Sequence, residues 1–185
     1  MYVMNRIRFS RFDQKDQAQV HALIACYQAV FAGPPWNEEW TFEQVQSDLA
    51  HEITDDASCW LAWHAEDLIG FCWGYPIDAS MLKGKLDISL PSSCSKGKLA
   101  YQDDLGVLEG YRGQGIAKQL FKLRHEDFLA QGLTMGVVRT KLLPDPSVTF
   151  LWFTKRLGYQ EIARYPRGDG RIVLGADLGT VTSLL

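Results

Sequence analysis

The stretch Asp103-Asp104-Leu105-Gly106-Val107-Leu108-Glu109-Gly110-Tyr111-Arg112-Gly113-Gln114-Gly115-Ile116-Ala117-Lys118 holds the residues best suited to grip an anion. Residues 99–107 carry the apolar residues of a strand, residues 110–115 supply turn conformations, and from Ile116 apolar residues recur at helical spacing. A strand thus runs through a glycine turn into the start of a helix. There the first backbone N–H groups have no intrahelical acceptor and sit at the positive end of the helix dipole. Gly113 and Gly115 let an anion approach the backbone, and Arg112 adds a fixed positive charge beside it. The chemistry expected of the turn is pyrophosphate binding.

The elements around it follow from periodicity. Residues 6–12 alternate polar and apolar, as a half-buried first strand does. Asp13 and Asp16 lead into a helix with Val20, Leu23, Ile24, Tyr27 and Phe31 on one stripe, closed by Gly33, Pro34 and Pro35. Thr41-Phe42-Glu43-Gln44 reads as a capping box opening a helix to about His51, with Phe42, Val45 and Leu49 inward. Residues 59–65 and 68–75 are two strands joined at Glu66-Asp67; the second is apolar on both faces and so central, and Pro76 ends it. Residues 77–98 are expected to form an irregular functional or mobile insertion.

A helix from Gly115 to about Ala130 has Ala117, Leu120, Phe121 and Phe128 on one face, and Gln131-Gly132 caps it. With the strand 135–140 it completes a βαβ unit, so that the strands 99–107 and 135–140 run parallel. Ser147 or Asp145 caps a further helix ending at Leu157-Gly158-Tyr159. Strands 159–165 and 171–175 follow, linked by a hairpin turn over 166–170.

A chain of 185 residues suits one domain with a sizeable core. The net charge of −3, without a run of like charges, gives no reason to expect nucleic acid or an anionic membrane as partner. Cys26, Cys59, Cys72 and Cys94 have neither zinc nor redox spacing, so no metal is expected and the thiols read as structural. The basic residues 1–11 lack an apolar signal region, and no apolar run approaches a membrane span. The expectation is a reduced, cytoplasmic protein.

Leu105-Gly106-Val107 followed by Arg112, Gly115 and Ala117, with Leu157-Gly158-Tyr159 downstream, resembles the GNAT-type N-acetyltransferases over nearly the whole chain. The resemblance implies an α+β sandwich in a single domain over 1–185. Its central mixed sheet would have about six to seven strands flanked by helices, with the parallel strands 99–107 and 135–140 splaying apart near Val107. It further implies acetyl-CoA as co-substrate, its pantetheine arm pairing with Leu105, Gly106 and Val107 as an added strand does. The pyrophosphate would lie on residues Gly113, Gln114, Gly115, Ile116, Ala117 and Lys118, with Arg112 near it. The Val107 N–H would hold the oxyanion of a tetrahedral intermediate.

The implied activity is transfer of the acetyl group to a primary amine of a small molecule, with a peptide as the second choice of acceptor. An alkylammonium is mostly protonated at neutral pH, so a group must take its proton. Asp103 and Asp104 are the candidates, since burial beside the reacting atoms would favour that role, and alternation along a strand lets one of them reach the cleft. Trp36, Glu38 and Trp40 are candidates for holding the acceptor, with core packing and a solvated helix start as the competing roles. Thr154 stands where many relatives place a tyrosine that protonates the leaving thiolate. That departure leaves a second reading, a catalytically weak acyl-CoA-binding or sensing domain. Oligomeric state stays open, homodimers being common in the family.

Overall fold

The computed structural model describes residues 2–4, 6–34, 36–95, 97–165 and 170–185. They fall into two compact units, one from within 1–75 and 104–126, the other from 76–103 and 127–185.

In the first unit β1 (Tyr2–Met4), β2 (Ile7–Arg11), β3 (Ser58–His64) and β4 (Asp67–Asp78, of which residues to Tyr75 belong here) form an antiparallel sheet in sequence order. Helix α1 (Gln17–Ala32) and helix α2 (Phe42–Glu52) lie between β2 and β3 in the chain. Asp16 caps α1 by accepting from the backbone of Ala18 and Gln19, and Thr41 with Gln44 closes the capping box of α2. Gly33, expected to close α1, is extended, with φ −91° and ψ 172°. Pro35 lies outside the described residues.

The apolar stripe of α1 packs with Val45, Leu49, Phe71 and Trp73 into one core cluster. Tyr27 is its hub, its ring 5.7 Å from Phe71, 5.6 Å from Trp73 and 4.5 Å from Phe31. Each such aromatic pair adds about 0.5–1.5 kcal/mol beyond its area. A second cluster, with Ile7, Phe9, Trp60, Cys72 and Val107, takes Ile116, Leu120 and Leu123 of the helix that follows the glycine turn.

In the second unit α3 (Ala79–Leu86) precedes β5 (Lys98–Gln102). Here the expected irregular insertion is corrected: β4 runs past Pro76 to Asp78, and residues 79–86 and 92–95 are helical, the latter a 3-10 turn. Leu82 and Leu86 are buried one turn apart, and apolar burial at that spacing favours a helix over loop. The unit's sheet is mixed: β5 runs parallel to β7 (Met135–Lys141), β7 antiparallel to β9 (Arg171–Asp177), and β9 antiparallel to β8 (Gln160–Arg164). Gly132 and Gly158, both expected to follow a helix, have φ of 75° and 71°. Ser147 caps α5 (Val148–Arg156) by accepting from the Phe150 N–H, and α6 (Leu178–Thr182) closes the chain. The hairpin turn expected at 166–170 lies, apart from Gly170, outside the described residues.

The strand expected over 99–107 is two strands. β5 ends at Gln102, and after Asp103 and Asp104 the chain re-enters a sheet as β6 (Leu105–Val107), which pairs antiparallel with β4 in the first unit. Two adjacent aspartates are poor strand formers, and each turns to a different partner. Nine strands result among the described residues; counting the divided strand once and setting the short β1 aside returns seven. The fold is mixed α+β, with open sheets and flanking helices.

All four cysteines are buried thiols. Burial pushes the Cys26 thiol from an ordinary 9.0 to about 12, and pushes Cys59 up as well. The folded chain therefore keeps a proton on Cys26 that the unfolded chain releases. This contribution is whole below pH 9, and it is lost as pH rises from about 9 to 12. The urea midpoint should fall across that window, and fall less in Cys26→Ala.

Candidate active site

The register of β6 against β4 decides what its backbone offers. Leu108 N–H donates to Ile69 O, and Trp73 N–H donates to Asp104 O, at 2.9 and 3.0 Å. Gly70 pairs with Val107 and Cys72 with Leu105, so these are the non-hydrogen-bonded positions of the ladder. The N–H and C=O of Leu105 and Val107 consequently point away from β4, along the outer edge of this sheet. That edge can accept an extended amide-bearing chain as an added strand.

Gly106 lies between them on the opposite face. A Cβ there would stand 2.6 Å from Phe71 Cζ and 2.9 Å from Val30 Cγ1. Gly106→Ala should overpack this contact and cost about 1–3 kcal/mol, read as a lower urea midpoint.

Beyond Val107 a 3-10 turn at residues 109–111 leads to Arg112, whose Nε donates to the Val107 carbonyl at 3.1 Å. Gly113 and Gly115 have φ of 78° and 81°, a conformation costly to residues with a side chain. The space over Gly113 is open, with no atom within 4 Å of where a Cβ would stand. Helix α4 (Ile116–Ala130) starts at once, and Gln119 N–H is bonded to Gly115 O. The N–H groups of Ile116, Ala117 and Lys118 precede any intrahelical acceptor. Arg112, Gly113, Gln114 and Lys118 are exposed. These observations fit a pyrophosphate on the turn and a pantetheine arm on the β6 edge.

Asp103 and Asp104 part company. Asp103, in the second unit, is ion-paired with Lys85 Nζ of α3 at 3.2 Å, its side chain 7% exposed. Asp104, in the first, accepts from the Tyr27 hydroxyl at 3.3 Å through Oδ2. Gly106 and Asp104 share a face of β6, so Asp104 looks onto the aromatic cluster of α1. Its backbone is held twice: besides Trp73 N–H, Arg124 Nη1 donates to Asp104 O at 2.9 Å and to Trp73 O at 2.6 Å.

The segment 36–40 covers the same cluster. Trp36 lies 6.0 Å from Phe31 and Trp40 stands edge-on to Tyr27 at 5.7 Å, both partly buried against the core. Glu38 accepts from Trp40 Nε1 at 3.1 Å. In the second unit Thr154 donates its hydroxyl to Phe150 O at 2.8 Å, back into α5, and Tyr159 is buried and bonded to Gln102.

Three residues in this arrangement escaped the sequence reading. Tyr27 looks like any stripe residue of α1, and Lys85 lies in a segment read as loop. Arg124 did carry a signal: it falls in the apolar stripe of α4, between Phe121 and Phe128, where a charge has to be bonded.

Among the described residues no helix is long and apolar enough to cross a membrane, and no cluster of ligating side chains could hold a metal ion. No curated protein matches the chain by sequence. The chain is similar to the crystal structure of the ribosomal-protein-S18-alanine N-acetyltransferase from Escherichia coli, with TM-score 0.62 and 14% identity over 93% of this chain and 94% of that one. It is similar to the PaiA N-acetyltransferase from Thermoplasma acidophilum in complex with coenzyme A, with TM-score 0.63 and 15% identity over 92% and 98%. An aminoglycoside 6′-acetyltransferase type Ii gives TM-score 0.66 and 14% identity over 92% and 97%. At such identities these neighbours speak for the fold. The sequence model of the acetyltransferase (GNAT) family matches residues 19–142, two thirds of the chain. The chain therefore belongs to the GNAT family of acetyltransferases, and is an acyltransferase with acetyl-CoA as its co-substrate.

Proposed function

We propose that the protein acetylates a primary amine of a small molecule directly, without an acyl-enzyme. The observation that carries this reading is the continuity of the outward-facing Leu105 and Val107 edge with the glycine turn and the start of α4. Acetyl-CoA supplies the acetyl group as a thioester. Leu105 and Val107 align its arm, Gly106 between them being paired with Phe71 of β4, and Gly113 through Lys118 with Arg112 take its pyrophosphate.

The Val107 N–H holds the charge that develops on the carbonyl oxygen. Asp104 accepts the proton of the acceptor amine, since the other carboxylate, Asp103, is already held by Lys85 and serves to fix the chain there. Trp36, Glu38 and Trp40 close the acceptor side. Their competing role is packing, which the Trp40–Glu38 bond and the Trp36 contact with Phe31 also support. Thr154 has its proton committed to Phe150 and is left as a hydrogen-bonding residue of α5. A reducing compartment such as the cytoplasm suits four cysteines kept as thiols.

Thermal unfolding with acetyl-CoA, and with ATP and NAD as controls, tests the cleft. Ligand at 100 times its Kd adds about 2.7 kcal/mol, a Tm rise of roughly 5–10 °C at this size. The expected result is a rise with acetyl-CoA alone, reduced in Arg112→Ala. An equal rise with ATP would mean that the turn binds any phosphate. Release of CoA thiol on addition of an amine then separates an acetyltransferase from a domain that binds acyl-CoA without turnover.

A further inference from the structure

With Thr154 engaged inside α5, the thiolate that leaves in acyl transfer needs another proton donor. A threonine hydroxyl is in any case too weak an acid for the task, whereas a phenol ionises near pH 10, close to the range of a thiol. We propose that Tyr27 is that donor, acting as a couple with Asp104. The inference rests on the acetyl-transfer reading above.

Tyr27 is positioned as a catalytic group would be rather than as a surface tyrosine. Its hydroxyl donates to Asp104 Oδ2, on the residue directly before the outward-facing edge of β6. Its ring is locked among Phe31, Trp40, Phe71 and Trp73, so the hydroxyl cannot swing away without displacing four neighbours. The Asp104 main chain is fixed by Trp73 and by the guanidinium of Arg124. All these groups belong to the first unit, together with Val107 and the glycine turn.

The proton count closes. The acceptor ammonium loses one proton to solvent, and the neutral nitrogen forms the C–N bond. Asp104 takes the second proton from that nitrogen. As the C–S bond breaks, Tyr27 gives its phenolic proton to sulfur, and the proton on Asp104 passes along the Tyr27 hydrogen bond to restore the phenol. One proton has moved from nitrogen to sulfur and the protein is unchanged.

The test is CoA thiol release from acetyl-CoA with spermidine, tyramine, kanamycin and a tetrapeptide with a free N-terminus, on wild type, Tyr27→Phe, Asp104→Asn and the double variant. Phenylalanine keeps the ring in the cluster. Each single change should lower kcat about 10²- to 10⁴-fold with the KM for acetyl-CoA nearly unmoved. The double variant should be no slower than the slower single one, because both belong to one relay. The Tm rise with acetyl-CoA should persist in all.

A Tyr27→Phe enzyme within tenfold of wild type would overturn the relay and leave acetyl transfer standing. So would a double variant that loses the product of the two single factors. Loss of the acetyl-CoA Tm rise in Tyr27→Phe would reduce Tyr27 to a packing residue and also overturn it. Wild type that releases no thiol with any of these amines, despite the Tm rise, would bring down the acetyl-transfer reading itself, and the relay with it.

Discussion

Val107→Pro is expected to slow acyl transfer about 10²- to 10³-fold while leaving β6 seated on β4. Proline removes one N–H, and at Val107 that N–H points away from β4, so no ladder bond is lost. The residue before it is Gly106, the residue type least restricted by a following proline. Removing a single donor to a developing oxyanion costs about 10²- to 10³-fold in kcat. Val107→Ala keeps the N–H but loses buried side-chain contacts with the Ile116 and Leu120 cluster. It should therefore lower Tm and spare most of the rate. CoA thiol release and Tm, measured on both variants, separate the two losses. A Val107→Pro enzyme that folds and keeps its kcat would remove this N–H from the reaction.

Arg124→Met is expected to be the most destabilising single change near the site. Arg124 is 1% exposed, its guanidinium lies 5.8 Å from the Phe121 ring, and one nitrogen, Nη1, serves both the Trp73 and the Asp104 carbonyls. Hydrogen bonds from a charged group are worth about 1.5–3 kcal/mol each, so losing both costs about 3–6 kcal/mol, a Tm lower by roughly 6–24 °C. Methionine fills most of the volume, so the loss measures polar contacts rather than a cavity. Because a single nitrogen makes both bonds, Arg124→Lys should recover part of the loss. A Met variant as stable as wild type would mean that the two carbonyls find other donors without cost.

Helix starts, glycine stops and the alternating strands of this chain were legible because each rests on local chemistry. The Thr41–Gln44 box and the Ser147 cap are interactions within four residues, and Gly132 and Gly158 announce a backbone conformation by lacking a side chain. The split of residues 99–107 was not legible, because the apolar pattern runs through both halves and does not say which neighbour each half pairs with. Nor was α3, whose Lys, Gly and Ser content resembles loop while its two buried leucines make it a helix. At the site, the glycine turn could be read and the partners of the carboxylates could not. Tyr27 and Asp104 are 77 residues apart, and nothing local marks a hydrogen bond between them.

The burial of the cysteines has a meaning for an enzyme whose reaction liberates a thiol. CoA disulfides accumulate wherever oxidant meets released CoA, and they exchange with any protein thiolate that they can reach. Exchange requires the thiolate and access to it. All four side chains are buried, and burial also keeps Cys26 and Cys59 protonated, so these thiols stay out of reach of that exchange. The fold thus shields these thiols from disulfides formed from the CoA that the reaction releases.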